Sequence, residues 1–458
     1  SAFTAYFMDS YSIVIDSEMI RNSLQTSMKE SVDLFSFRLV LYVVFLAIIP
    51  SYIVYTTKIN YKSLKGEIVS KLKTITLSLV IIFIIIFSFS KFYTSFFREH
   101  KPLRYNINPI YWIYSIGNYV NKTLDTAPSE IKDIGLDSKV VEEKNEPKEL
   151  IILVIGETAR ADRFSLNGYS KETNPLLKQE DLVSFTNMSS CGTSTAHSVP
   201  CMFSIFPKDD YSYKKGAGTK NVLDVLNNTQ DVAILWRDNN SDSKGVALRV
   251  DYEDLQTPKT NSVCDEECRD EGMLVGLEDY VEKNKGRDIL IVLHQMGNHG
   301  PAYYKRYPKE FEKFTPGCKT NQLEKCTQEE ISNAYDNAIL YTDYFLSKAI
   351  NFLKKYSKTH EAGLLYVSDH GESLGENGIY LHGMPYAIAP KAQTHVASLI
   401  WLDNGQMSHE YDRSKIKQNK DKEYSHDNLF DTLLGLFEVK TEVYKKELDI
   451  LNEARKEH

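Results

Sequence analysis

No basic arm or stripe runs through the large C-terminal part of this 458-residue chain, and its formal net charge is -8. A nucleic-acid partner is therefore not expected, because phosphates demand clustered Lys and Arg. The six cysteines contain no Cys-x-x-Cys pair, which argues against a structural zinc site of the usual spacing. No internal repeat or low-complexity tract occurs, and no cleavable signal peptide is visible in these residues. What is present, 25% charged and 12% aromatic residues, is ordinary for a globular enzyme. The mean hydropathy of -0.35 averages two unlike parts. Residues before about position 120 read as membrane-associated, and the remainder reads as soluble.

Leu39 to Thr57 and Thr74 to Ser90 are almost wholly apolar. Each can cross a hydrocarbon core of roughly 30 Å as a helix; the competing reading is a buried core helix. Between the runs, Lys58, Lys62, Lys65, Lys71 and Lys73 stand against the single acid Glu67. That short loop is expected on the cytoplasmic side, with both flanks on the other. The cysteines Cys191, Cys201, Cys264, Cys268, Cys318 and Cys326 all fall in the soluble part, as three close pairs. The simplest expectation is three local disulfides, formed in an oxidising compartment. The chain opens at Ser1, and Ser1 to Tyr11 reads like the tail of another apolar helix, so further spans are expected upstream.

Residues 12–37 are expected to form helix near the membrane surface, and the Tyr- and Phe-rich stretch 91–122, including Phe97, to sit at the interface. Residues 123–149, charged and carrying Pro128 and Pro147, read as a linker between a membrane part (1–122) and a catalytic part (150–458). In the latter, Leu150–Ile155, Val232–Trp236, Ile289–Leu293, Leu364–Val367 and Val396–Leu402 have the short apolar runs of buried parallel strands. Helix is expected over about Glu329–Tyr356 and His426–Phe437. Alternating strand and helix implies an α/β sandwich with a mainly parallel sheet, whose ligands bind beyond the carboxyl ends of the strands.

Those ends carry the chemistry. Glu157 follows the run Ile151–Ile155, and Asp369 and His370 follow Leu364–Val367. Carboxylates with an imidazole suit zinc, with manganese as an alternative. Thr195 lies in Gly192-Thr193-Ser194-Thr195, a Gly and hydroxyl cluster that reads as a turn entering a helix, bracketed by Cys191 and Cys201. A metal would lower the pKa of its hydroxyl enough for attack; an N-cap cluster is the plain alternative. His294 and His299 follow another strand, and His382 lies in a Gly-rich loop. These suit phosphate contact or proton transfer, although any one alone is more often a hydrogen-bonded structural histidine. Asn240 and Lys244, in the loop after Trp236, could hold phosphate oxygens.

Four motifs, Ile155-Gly-Glu157-Thr-Ala-Arg160, Cys191-Gly-Thr-Ser-Thr195-Ala-His-Ser-Val-Pro-Cys201, His294-Gln-Met-Gly-Asn-His299-Gly-Pro and Ser368-Asp369-His370-Gly-Glu-Ser-Leu-Gly-Glu376, resemble those of the membrane-anchored phosphoethanolamine transferases of Gram-negative bacteria, which include enzymes of polymyxin resistance. The resemblance covers nearly the whole chain. It implies an alkaline-phosphatase/sulfatase-like catalytic domain in the periplasm, anchored in the inner membrane by five N-terminal helices, of which the two runs above match the last two. It implies zinc held by Glu157, Thr195, Asp369 and His370, with Asn240, Lys244, His299 and His382 contacting the donor head group or a second, transient zinc. Disulfides at the three cysteine pairs are implied too. The donor would be phosphatidylethanolamine, the acceptor lipid A or the core oligosaccharide, and the enzyme a monomer. Thr195 would take the head group covalently, and His382 or His299 would handle the proton.

Two alternatives share the fold. A sulfatase-type hydrolase is opposed by the absence of a Cys/Ser-x-Pro-x-Arg motif. A glycerol-phosphate transferase shares membrane helices and a threonine nucleophile, and the cysteine pairs count against it. A non-catalytic membrane module would not keep so complete a set of ligand-capable residues.

Overall fold

The computed structural model describes residues 1–456 except 27, 59–60, 62, 91, 94–95, 97–99, 125–129 and 142–145. Lys62 of the basic loop, Phe97 of the aromatic stretch and Pro128 of the expected linker lie outside the described residues. The N-terminal part comprises α1 (Ala2–Tyr11), α2 (Ser17–Gln25), α3 (Met28–Asp33), α4 (Phe37–Thr56), α5 (Leu64–Ser88) and α6 (Ile110–Leu124). Asp16 starts α2 by accepting hydrogen bonds from the Glu18 and Met19 amides at 3.0 and 2.8 Å, which satisfies donors the first turn leaves open. Both α4 and α5 are long and apolar enough to cross a membrane. α5 buries none of its 25 residues, so it is not a core helix. In water its apolar side chains would forgo roughly 25 cal/mol per Å² of area, a loss that hydrocarbon surroundings remove. Within 123–149, Lys132 donates its amide to the Gly218 carbonyl at 2.8 Å, and Lys139–Val140 pairs with Val439–Lys440.

The second part is built on an eight-stranded sheet. β1 (Lys148–Gly156), β3 (Val232–Asp238), β5 (Asp288–His294) and β6 (His360–Ser368) are adjacent, parallel and buried on both faces. Side chains alternate across them. Leu150, Ile152 and Val154 of β1 share a core with Tyr335 and Ile339 of the long helix α9 (Gln328–Lys354). Ile151, Leu153 and Ile155 share the other core with α7 (Thr195–Met202), α8 (Val222–Asn228) and α10 (Leu429–Leu436). The strand order is β8-β2-β7-β6-β1-β5-β3-β4, with β2 (Leu182–Ser189), β4 (Asp251–Asp254), β7 (His395–Leu402) and β8 (Tyr424–Ser425) completing the sheet. The sheet is mixed but mainly parallel.

One expectation is corrected. β7, read as another parallel strand, runs antiparallel to both β2 and β6. An unbroken apolar run reports burial on two faces and says nothing of direction. β2 escaped the sequence reading because Ser184, Thr186 and Asn187 interrupt its apolar positions. β4, exposed and acidic, ends one edge of the sheet, where charge discourages pairing with another strand.

Candidate metal centre and active site

The register of the parallel strands sets the centre. Gly156 at the end of β1 pairs with Ser368 at the end of β6, so Glu157 and Asp369 leave the sheet side by side. Gly156 itself has no room for a Cβ, which would collide with the Tyr366 ring. Thr195 arrives from the first turn of α7, in a loop closed by the Cys191–Cys201 disulfide. Its Oγ1 lies 3.0 Å from Glu157 Oε2 and 3.3 Å from His370 Nε2. His370 Nε2 in turn lies 3.3 Å from Glu157 Oε1 and 3.4 Å from Asp369 Oδ2. Glu157, Asp369 and His370 are fully buried and Thr195 is 5% exposed.

Neighbouring groups hold each of these side chains. Asp369 Oδ1 accepts from the Thr158 and His370 amides at 3.3 and 2.7 Å. The His370 Nδ1 contacts the Gly371 carbonyl at 2.9 Å, which leaves Nε2 for the cluster. Asn240 Nδ2 donates to Glu157 Oε2 and to the Gln295 carbonyl, both at 2.8 Å. Gly297, at φ +52°, brings its backbone against Glu157, where a Cβ would meet the Glu157 carbonyl at 2.9 Å. Buried His426 joins the two halves of the site. Its Nδ1 accepts from the Cys191 amide at 3.0 Å, and its Nε2 donates to the Ser368 carbonyl at 2.9 Å.

Burial would raise the Glu157 pKa, but the His370 charge, aided by His299 and His382, holds it well below the usual carboxylate range. Asp369 is raised by burial and by Glu157. His370, which burial alone would lower, is pushed up to about 10 by Asp369 and Glu157. Two carboxylates thus face a single imidazolium. Glu157 Oε1 and Asp369 Oδ2 are buried with no hydrogen-bond partner among the described residues. Ligands at about 2.0–2.1 Å around a tetrahedral ion would stand about 3.3–3.4 Å apart. The four separations above, from 3.0 to 3.4 Å, are close to those edges. Two carboxylates, one imidazole and one hydroxyl therefore fit a small divalent cation, which would displace the imidazole proton. A second cluster, Cys191, His197 and Cys201, offers no such site because its thiols are joined. Cys264–Cys268 and Cys318–Cys326 are also joined.

His382 packs over the His370 ring, with centroids 4.3 Å apart, and His299 stands 5.6 Å from His382. Burial and these two histidines lower the His382 pKa well below the ordinary imidazole value. His299, His382, Asn240, Lys244 and Thr195 all line a cavity of about 540 Å³. Lys244 Nζ donates to the Ser241 carbonyl at 2.8 Å. His294 does not line that cavity. Its Nδ1 lies 2.8 Å from Asp238 Oδ2, and its ring packs edge-on to Trp236. The cavity's far wall comes from the N-terminal part, including Phe3, Phe7, Ile13 and Met19.

Sequence reasoning also missed a clamp between the two parts. Arg306 donates from Nε to the His299 carbonyl at 2.7 Å and from Nη1 to both Glu267 carboxylate oxygens at 2.6 Å. Its Nη2 reaches Asp33, at the end of α3, at 2.9 Å, and Lys305 pairs with the same carboxylate. Only an acidic residue just before the first apolar run hinted at this.

Residues 149–439 match the family described as Sulfatase, and residues 1–124 match the family described as Phosphoethanolamine transferase EptA/EptB. Phosphatidylethanolamine transferase Mcr-2 of Escherichia coli is 46% identical over 449 residues, 96% of this chain and 82% of that protein. Phosphoethanolamine transferase EptA of Escherichia coli K12 is 40% identical over 462 residues, 99% of this chain and 84% of that protein. The integral membrane lipooligosaccharide phosphoethanolamine transferase A of Neisseria meningitidis superposes with a TM-score of 0.94 at 36% identity, covering 100% of this chain and 85% of that one. This chain belongs to the phosphoethanolamine transferase family and carries that family's sulfatase-like domain.

Proposed function

We propose that this chain transfers phosphoethanolamine from phosphatidylethanolamine to lipid A or the core oligosaccharide, through a covalent intermediate on Thr195. In this reading Glu157, Thr195, Asp369 and His370 hold one zinc ion. The observation that carries it is the position of the Thr195 hydroxyl. It meets the Glu157 carboxylate and the His370 imidazole, which in turn faces Asp369, at the floor of a cavity whose opposite wall is apolar, a wall suited to acyl chains.

Zinc, when bound, would make the hydroxyl more acidic and offset charge on the phosphoryl oxygens. Thr195 Oγ1 forms a bond to phosphorus, and the phosphorus–oxygen bond to diacylglycerol breaks. The proton that Thr195 loses passes to the histidine pair His299 and His382, which hands it to the departing oxygen. An acceptor oxygen then attacks the same phosphorus and surrenders its proton to that pair, which returns it to Thr195 Oγ1 as the threonine–phosphorus bond breaks. His382 Nδ1 faces the Thr193 carbonyl at 3.3 Å, which leaves Nε2 as the proton-accepting nitrogen. Lys244 lies where it can bind phosphate oxygens. Asn240 acts in this reading by holding Glu157, since its amide is committed there. With α4 and α5 in the bacterial inner membrane and the catalytic part in the periplasm, enzyme and donor share one plane, which raises their effective concentration, and the disulfides lie in an oxidising compartment.

The test incubates the chain with head-group-labelled phosphatidylethanolamine and lipid A, with phosphatidylglycerol as the rival donor, and follows lipid and protein masses. The wild type should carry phosphoethanolamine on Thr195 and pass it to lipid A. Undiminished transfer by Thr195→Ala, or transfer of glycerol phosphate instead, refutes the reading.

A further inference from the structure

A second cavity, of about 240 Å³, lies on the other side of α2 from the reaction cavity. The two share Gln25 and Lys244 as walls. Its lining includes four cationic side chains, Arg21, Lys220, Lys244 and Arg249, and no carboxylate. Three of the four are engaged. Lys220 pairs with Asp133 at 2.5 Å, Arg249 with Asp224 at 2.5 Å, and Lys244 with the Ser241 carbonyl at 2.8 Å. Arg21 differs. It is 8% exposed, and its guanidinium carbon lies 3.5 Å from the centroid of the Tyr213 ring. Its Nε and Nη2 are buried without a partner among the described residues. Those two nitrogens form one edge of the guanidinium, the edge that binds two oxygens of a phosphate or carboxylate side by side. Glu18, one turn earlier on α2, is directed to His197 Nδ1 at 3.7 Å. Tyr213, which carries the guanidinium, donates from its hydroxyl to the carbonyl of Ala196, the residue after Thr195.

We propose that this cavity is an anion subsite in which Arg21 grips a phosphate group of the acceptor lipid while another group of that lipid reaches Thr195. The inference rests on the transferase reading above and adds where the acceptor is held. A buried guanidinium edge with no anion leaves two donors unsatisfied, and an acceptor with two phosphates can satisfy them without displacing the donor lipid from the larger cavity.

The experiment uses the full zinc-loaded chain in detergent and measures transfer to acceptor lipids bearing one or two phosphates. Arg21→Gln should raise the KM for the bisphosphorylated acceptor at least about tenfold, as expected for losing a charge-assisted contact, with the donor KM within about twofold. It should leave the KM for the monophosphorylated acceptor unchanged. Arg21→Lys, which keeps the charge but neither the planar stack on Tyr213 nor the two-nitrogen edge, should recover only part of the loss. An equal change for both acceptors, as binding of bulk anionic lipid would give, overturns the proposal, and so does no change for either. Should the wild type transfer to no acceptor, the transferase reading fails, and calorimetric titration with inorganic phosphate decides the subsite alone. One phosphate fewer bound by Arg21→Gln supports it, and equal binding removes it.

Discussion

Asn240→Ala is expected to weaken zinc binding about 10–100-fold. In the structure the Asn240 amide gives both of its protons away, one to Glu157 Oε2 and one to the Gln295 carbonyl, each at 2.8 Å. Glu157 is fully buried, and the lost donor is the one that fixes its Oε2. A hydrogen bond to a charged group contributes about 1.5–3 kcal/mol. Part of that is regained as the carboxylate turns, and a remainder of about 1.4–2.7 kcal/mol corresponds to the stated range. Asn240→Asp should do worse, because it sets a second carboxylate against Glu157 where a donor stood. Competition with a chromophoric zinc chelator on the 458-residue chain reads the affinity, and a parallel assay reads the KM for phosphatidylethanolamine. If zinc affinity stays at the wild-type level and only the lipid KM rises, Asn240 touches substrate rather than Glu157, and the reasoning is wrong.

Other perturbations have equally definite outcomes. His426 is lowered to about 4, because burial disfavours its charge, with His370 adding to the effect and the Ser368 carbonyl opposing it. The unfolded chain therefore binds the extra proton between about pH 6.5 and 4, and stability falls as pH drops through that window by about 3 kcal/mol at 1.36 kcal/mol per unit. His426→Gln should flatten that slope in denaturant titrations at a series of pH values, and an unchanged slope refutes the assignment. Arg306→Ala takes the guanidinium from buried Glu267 and leaves Asp33 with Lys305 alone, and should cost about 3–5 kcal/mol in thermal unfolding. Asp33→Asn, which leaves Arg306 paired to Glu267, should cost less in stability and show itself in donor KM; equal losses would place Asp33 and Glu267 on the same footing. Breaking Cys191–Cys201, whose ends are separated by 10 in sequence, should remove about 2.5–3 kcal/mol, read by denaturation of the Cys191→Ala/Cys201→Ala double variant. Chelation should abolish transfer, and activity that survives complete zinc removal would exclude the zinc-dependent reading.

How much of this was legible depended on range along the chain. β1, β3, β5 and β6 are apolar without interruption, so both their existence and the groups at their ends could be read directly. Thr195 and its loop were visible as a Gly-hydroxyl cluster between two cysteines. Direction was not visible, as β7 demonstrates, because burial on both faces leaves the same pattern in either orientation. His294 looked like a cavity residue because of its neighbours in sequence, yet Asp238 holds it beneath the surface of the site. Arg21 and Arg306 carried no local signal at all. Each acquires its meaning from partners far away in the chain, Tyr213 in one case and Asp33 in the other.

The wall that Phe3, Phe7, Ile13 and Met19 contribute to the reaction cavity bears on inhibitor discovery. A fragment trimmed to the sheet-bearing half presents an open trough, and a screen against it will favour small polar chelators. Compounds with a hydrocarbon tail should reveal their affinity only against the intact polypeptide, where that tail finds something to lie on.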